Sequence, residues 1–218
     1  RLSEEAERLI ELGVEHLSVY DLVLEEGTPL AARVASGDFV LPGEDEAYEE
    51  REALEAALAR RGFRRYEVSN YSLPGAESRH NLAYWRLDSY LGAGAGAVST
   101  LVSAASRGSL RIEEGRELAA YAGGGAASLA AETLVSPRDA AFESIMMGFR
   151  TIFGLSRPDF ARRHGAPLES LIGATLGRWK DRLVPGLFPD SLALDGRGLD
   201  LENRFLTECL EEMEGGAR

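Results

Sequence analysis

Between Ser3 and Tyr71 the chain alternates helices that carry their own start and stop signals with short runs of β-forming residues. That alternation restricts it to the α/β class. Ser3 is placed to cap a first helix, with Glu4 and Glu5 in the first turn where the dipole favours acids and Gly13 beyond its end. Residues 16–23 read as a strand, which Gly27-Thr28-Pro29 breaks with turn chemistry. Pro42-Gly43 precedes a second helix over 45–61, acidic at its start and closed by Arg60 and Arg61. Residues 64–70 alternate through Tyr66 and Val68 as a second strand, and the Gly-Ala run at 92–97 reads as a third. A cycle of this kind predicts a parallel sheet with covering helices and ligand sites at the C-terminal strand ends.

The second half changes character. Residues 97–112 predict two strands joined at Ser106-Arg107-Gly108, followed by a helix over 115–121. Gly123-Gly124-Gly125-Ala126-Ala127 is the best linker candidate, with the linker taken as 123–135. Ser136-Pro137-Arg138-Asp139 and Ser156-Arg157-Pro158-Asp159 each combine a capping serine, an early proline and a first-turn acid, so each predicts a helix start. The second of these helices ends near Gly165, a third covers 168–182, and 187–199 holds strand-like pieces turning at Gly196 and Gly198. A last helix over 201–213 completes a small, mostly α, winged-helix-like domain spanning 136–218, set against an α/β part spanning 1–122.

Composition removes several function classes. The 24 basic against 36 acidic residues leave a net charge of −12, which opposes a large nucleic-acid footprint and binding to anionic lipid. No apolar run approaches a membrane span. The single cysteine, Cys209, excludes an internal disulfide and is too few for an iron–sulfur cluster. A reducing cytoplasm is the default compartment. The chain opens on a helical pattern without Met, and we expect it to be part of something longer.

One segment concentrates unusual residue choices. Arg79-His80-Asn81-Leu82-Ala83-Tyr84-Trp85 puts an imidazole, an amide and two large aromatics just ahead of the Gly-Ala run. His80 can ligate haem iron or donate to an acidic cofactor group, while Tyr84 and Trp85 can stack on a planar ligand. Equally, His80 and Asn81 can satisfy a loop backbone while Tyr84 and Trp85 fill a core, and the residues alone leave both readings open. Elsewhere the expectations are plainer. Glu25 and Glu26 stand at the end of the first strand, where catalytic groups often sit in βα folds, and read more simply as solvated turn acids. His164 is a charged imidazole at a helix C-terminus. Cys209 shares a buried face with Leu206, Leu210 and Met213. The sequence holds no His-Glu-x-x-His, no Cys-x-x-Cys and no P-loop.

Taken in order, several pieces resemble the oxygen-independent coproporphyrinogen oxidase family of radical-SAM proteins. They are His16-Leu17-Ser18-Val19-Tyr20-Asp21-Leu22, Glu25-Glu26-Gly27-Thr28-Pro29-Leu30 and Tyr66-Glu67-Val68-Ser69-Asn70-Tyr71, then Pro74-Gly75, Arg79-His80-Asn81-x-x-Tyr84-Trp85, Tyr90-Leu91-Gly92, Gly94-Ala95-Gly96-Ala97 and Ser99. Arg197-Gly198-Leu199 and Asn203 resemble the family's C-terminal module. The His-Asn-x-x-Tyr-Trp element is similar to the branch that binds haem and hands it to acceptor proteins.

The resemblance implies the C-terminal part of a radical-SAM partial (β/α) barrel followed by that winged-helix-like domain. It implies S-adenosyl-L-methionine and a [4Fe-4S] cluster in the intact parent, with Val23 and Val98 as apolar SAM contacts. His80, Asn81, Tyr84 and Trp85 would be contacts to haem as cargo. The family's three-cysteine motif is expected upstream of Arg1, so this stretch alone should neither ligate a cluster nor cleave SAM. Val98 stands where the chaperone branch usually has His, and Ser78 where it often has Cys. Oxidative decarboxylation of coproporphyrinogen III is the alternative, and a winged-helix nucleic-acid regulator using Arg157, Arg162, Arg163, Arg178, Lys180 and Arg182 is a further one. The partners implied are haem and haem-acceptor proteins, with homodimerisation open and no nucleic acid or integral membrane segment.

Overall fold

Ser136 and Ser156 cap helices where the sequence predicts them in the computed structural model, which describes residues 2–123 and 129–215. Ser3, expected to cap the first helix, lies inside it because that helix already runs from Leu2. The chain divides into two compact units, one up to Ser78 and one from Arg79 onward. The division therefore falls ahead of the expected boundary near residue 122.

In the first unit, α1 (Leu2–Glu11) packs on α3 (Glu44–Arg60), whose first turn holds Glu44, Asp45 and Glu46. Between them in sequence, α2 (Pro29–Ala35) starts at Thr28, whose side chain accepts the Ala31 amide at 3.2 Å. Ala6, Leu54, Leu58, Phe63 and Tyr71 form the core. Burying each of the two leucines contributes about 1.5–3 kcal/mol.

The strands β1 (His16–Ser18), β2 (Arg64–Arg65) and β3 (Asn70–Ser72) lie in the order β1-β3-β2, and β3 is antiparallel to both neighbours. The expected parallel sheet is thus corrected. Residues 66–69 are far too few for a parallel crossover, so β2 and β3 fold back as a hairpin and β3 sits between the two strands that the helices connect. The strand expected over 16–23 also stops early. β3 offers only three partners before the chain turns away, and after the Val19 amide bonds to Ser69 O at 2.8 Å, Tyr20, Leu22 and Val23 are exposed.

The second unit begins with α4 (Arg79–Trp85) and a three-stranded antiparallel sheet, β4 (Val98–Ser103), β5 (Gly108–Glu114) and β6 (Leu129–Val135). The β4–β5 hairpin forms as predicted, and a Cβ on Gly108 would lie 2.4 Å from Val135 O, so close strand approach requires glycine there. The helix expected over 115–121 is α5 (Leu118–Gly123). Of the expected linker, 129–135 is β6 and pairs along β5, with Leu134 opposite Leu110. Residues 124–128 lie outside the described residues.

The C-terminal module then runs α6 (Pro137–Phe149), β7 (Leu155–Ser156), α7 (Arg157–His164), α8 (Glu169–Arg178), β8 (Leu183–Pro185), β9 (Ser191–Leu194), α9 (Gly196–Asp200) and α10 (Glu202–Gly215). Its small sheet has the order β7-β9-β8, the winged-helix-like arrangement expected. Ser136 and Ser156 cap α6 and α7 by accepting the Asp139 and Asp159 amides at 3.2 and 3.3 Å, and Gly165 closes α7 at φ 73°.

The helix expected over 168–182 is broken. Ile172 leaves helical geometry at φ −135°, and the Glu212 carboxylate accepts the Ala174 and Thr175 amides at 2.9 and 2.7 Å where the helix restarts. A 3₁₀ turn over Lys180–Arg182 completes the segment. Ile145, Phe149, Phe160, Leu168, Ile172, Phe205 and Cys209 form the buried centre, with Phe149 and Phe205 rings 4.7 Å apart. Among the described residues no helix is long and apolar enough to cross a membrane.

Candidate functional site

α4 turns the His-Asn-x-x-Tyr-Trp element into a two-sided device. Positions 80 and 84 are one turn apart and share a side of the helix. The His80 and Tyr84 rings meet edge to face at 4.9 Å and 86°, and Tyr84 meets Tyr90 at 4.7 Å and 74°. His80 is exposed and Tyr84 is 37% exposed, so this column of rings stands at the surface and does not plug a core. Asn81 and Trp85 are half-buried, and Leu82 is buried.

Leu82 and Trp85 instead line a cleft of about 1000 Å³ that also takes in Phe153, Phe160 and Phe188. Arg86, Arg162 and Arg163 lie on its wall with Asp88, Asp159 and Asp190. The Arg86 guanidinium is 5.2 Å from the centre of the Phe188 ring. Arg163 donates to Leu87 O at 3.2 Å, and burial pulls its pKa below the usual arginine value against the opposing pull of Asp88 and Glu143.

The Gly-Ala run is not the bare strand that the sequence predicts. Gly94 and Gly96 adopt φ 121° and 75°, which breaks an extended path, and the run is a loop leading into β4. A Cβ on Gly92 would lie 2.4 Å from Val98 O, so this glycine serves an approach of the chain to itself. The amides of Gly92, Gly94 and Gly96 donate to Ser99 Oγ, Tyr121 Oη and Gly115 O at 3.0, 2.9 and 2.9 Å. The run contributes nothing to the wall of this cleft, which Trp85 lines without the glycines. Val98 opens β4 and is 36% exposed, while Val23 lies in the loop after β1 and is 71% exposed.

His164 departs most from expectation. It is buried, with Nε2 2.8 Å from Ser144 Oγ, and Nδ1 has no hydrogen-bond partner among the described residues. Burial, helped by the charges of Arg163 and Arg107, lowers its pKa to about 4, so the imidazole is neutral at pH 7 and not the expected cation. Ser144 directs its proton to Ala140 O at 3.0 Å, so Ser144 Oγ accepts from the imidazole Nε2–H. The pair does not activate a nucleophile. His16 is likewise engaged, 2.8 Å from Tyr66 Oη.

Cys209 is buried on α10, and burial with Glu212 and Glu208 nearby pushes its thiol up to about 12. Among the described residues no group of three or more His, Cys, Asp or Glu could hold a metal ion. These residues do not fit an iron–sulfur cluster. The arginines singled out as a basic patch are largely spent on acids. Arg157 pairs with Glu169 at 2.8 Å, Arg162 with Asp159 at 2.5 Å, Arg178 with Glu208 at 3.0 Å and Arg182 with Asp195 at 3.3 Å.

The sequence reading missed the cleft. Its wall comes from four separate stretches of chain, three of them carrying the aromatics, and the one local signal was Trp85 beside Arg86.

No protein-family model matches the sequence. Over 88 residues the chain is 47% identical to the heme chaperone HemW of Mycobacterium tuberculosis, covering 40% of this chain and 23% of that protein. HemW of Escherichia coli is 33% identical over 151 residues, 69% of this chain and 38% of that protein. The chain thus spans less than half the length of these curated relatives. Among solved structures, the coproporphyrinogen III oxidase HemN of Escherichia coli, a radical SAM enzyme, superposes with a TM-score of 0.64 over 94% of this chain and 50% of its own. At 15% identity that likeness carries the fold alone.

Proposed function

The chain belongs to the HemW-type branch of the coproporphyrinogen oxidase-like radical-SAM family, and from that footing we propose that it binds haem for delivery to acceptor proteins. The observation that carries this reading is the surface column of His80 and Tyr84 on α4 with Tyr90 beyond its end. An exposed imidazole can reach haem iron without breaking a core contact, and Tyr84 set edge-on against it limits the ring's rotation. A carrier has to release its cargo, and a ligand at the surface suits that better than one sealed in a core. In this reading His80 is the axial ligand, Tyr84 orients it, and Asn81 and Trp85 shape the same helix.

The described residues do not fit the family's cluster, so no redox or SAM-cleaving step is assigned to them. Val23 and Val98 are proposed as apolar SAM contacts of a longer protein, a reading supported by the exposure of both side chains.

The test is a haem titration of the chain, followed by its Soret band. His80→Ala is expected to shift the band and weaken binding by about tenfold or more, the scale of one lost strong interaction. An unchanged spectrum and affinity would remove His80 from the site.

A further inference from the structure

The cleft beside α4 plays no part in the surface column, since neither His80 nor Tyr84 lies on its wall. At about 1000 Å³ it matches the upper range of small-molecule sites. Its half-buried aromatics, Trp85 and the stacked Phe153–Phe188 pair, suit a flat ring system that can meet them face to edge.

Two guanidiniums on that wall keep donors in hand. Arg86 has Phe188 as its contact and no carboxylate partner among the described residues. Arg163 is half-buried and gives one N–H to Leu87 O, which leaves most of its fork unused. Arg162 is different, being held by Asp159 at 2.5 Å. Asp88 and Asp190, also on the wall, disfavour any anionic group beyond those that Arg86 and Arg163 can meet.

We propose that this cleft binds a planar polycyclic carboxylate, with its rings against Trp85 and the edges of the stacked Phe153–Phe188 pair and its acid groups on Arg86 and Arg163. A porphyrin is the member of that class in view, and in naming it the inference rests on the haem reading above. The iron is not needed for it. The wall recognises ring and carboxylate, so the site is separable from axial ligation at His80.

The experiment titrates the full chain with metal-free protoporphyrin IX, which cannot take an axial ligand, and follows quenching of tryptophan emission. Saturable binding is expected. It should weaken by about tenfold or more in the Arg86→Gln, Arg163→Gln double variant, the scale of lost charged hydrogen bonds. It should weaken similarly in Ala104→Trp, which adds an indole to the wall from an exposed turn position and leaves the core alone. Arg157→Gln, an arginine of the same module outside the wall, should bind as the parent does.

Absence of saturable binding, or one affinity throughout all these proteins, overturns the cleft. Haem binding with a His80-dependent Soret band alongside failed porphyrin binding would reject the cleft and leave the carrier reading standing. Porphyrin binding that depends on the arginines, alongside failed haem binding, would reject the carrier reading and leave the cleft standing.

Discussion

The imidazole of His164 ends α7, where the helix dipole favours a cation, yet it is buried and neutral. Desolvation outweighs the dipole here because Arg163 and Arg107 add like charge to the same side of the balance. The consequence is a pH dependence with a definite sign. The unfolded chain protonates this group near 6.5, and the folded chain only near 4. Between those values the unfolded state binds more protons, so stability falls as the pH drops. Urea unfolding at pH 7 and pH 5 should show a loss of about 1 kcal/mol from this group, a figure already discounted for partial solvent access. His164→Gln should lack that component. An equal pH slope in parent and variant would refute it.

α8 shows the same competition at the scale of an element. Its sequence carries a continuous helical pattern, and the fold interrupts it at Ile172. The restart is held from outside by Glu212 of α10, which accepts two amides and the Thr175 hydroxyl at 2.6 Å. Removing that carboxylate leaves two amides short of an acceptor, while the Thr175 hydroxyl keeps Glu208 O at 3.3 Å. Glu212→Ala should therefore cost about 2 kcal/mol in chemical denaturation, with the loss of helix signal confined to a small fraction. A cost within about 0.5 kcal/mol, typical of ordinary surface changes, would show that the kink needs no external cap. The capped starts of α6 and α7 need no such help, since Ser136 and Ser156 supply their own acceptors and were legible without coordinates.

At the scale of the whole molecule, charge decides between functional classes. The net −12 is spread over a chain whose C-terminal arginines are largely matched to Glu169, Asp159, Glu208 and Asp195. A winged-helix-like arrangement is therefore no argument for nucleic acid here, because phosphate binding needs unpaired cations on one face. A gel-shift titration with duplex DNA at about 0.1 M salt should show no complex. A complex that dissolves steeply with added salt would contradict this assignment.

What could be read from the chain alone is what short-range chemistry controls. The caps of α6 and α7, the glycine stop of α7, the β4–β5 hairpin, the buried face of Leu206, Cys209 and Met213 (though not Leu210, which is 38% exposed) and the ordered family motifs all lie within a few residues of their cause. The antiparallel insertion of β3, the charge state of His164, the break in α8 and the cleft wall depend on residues distant in sequence. Each is settled by which groups are packed together and how much water they lose. Desolvation and strand pairing act through space, and no local pattern records them.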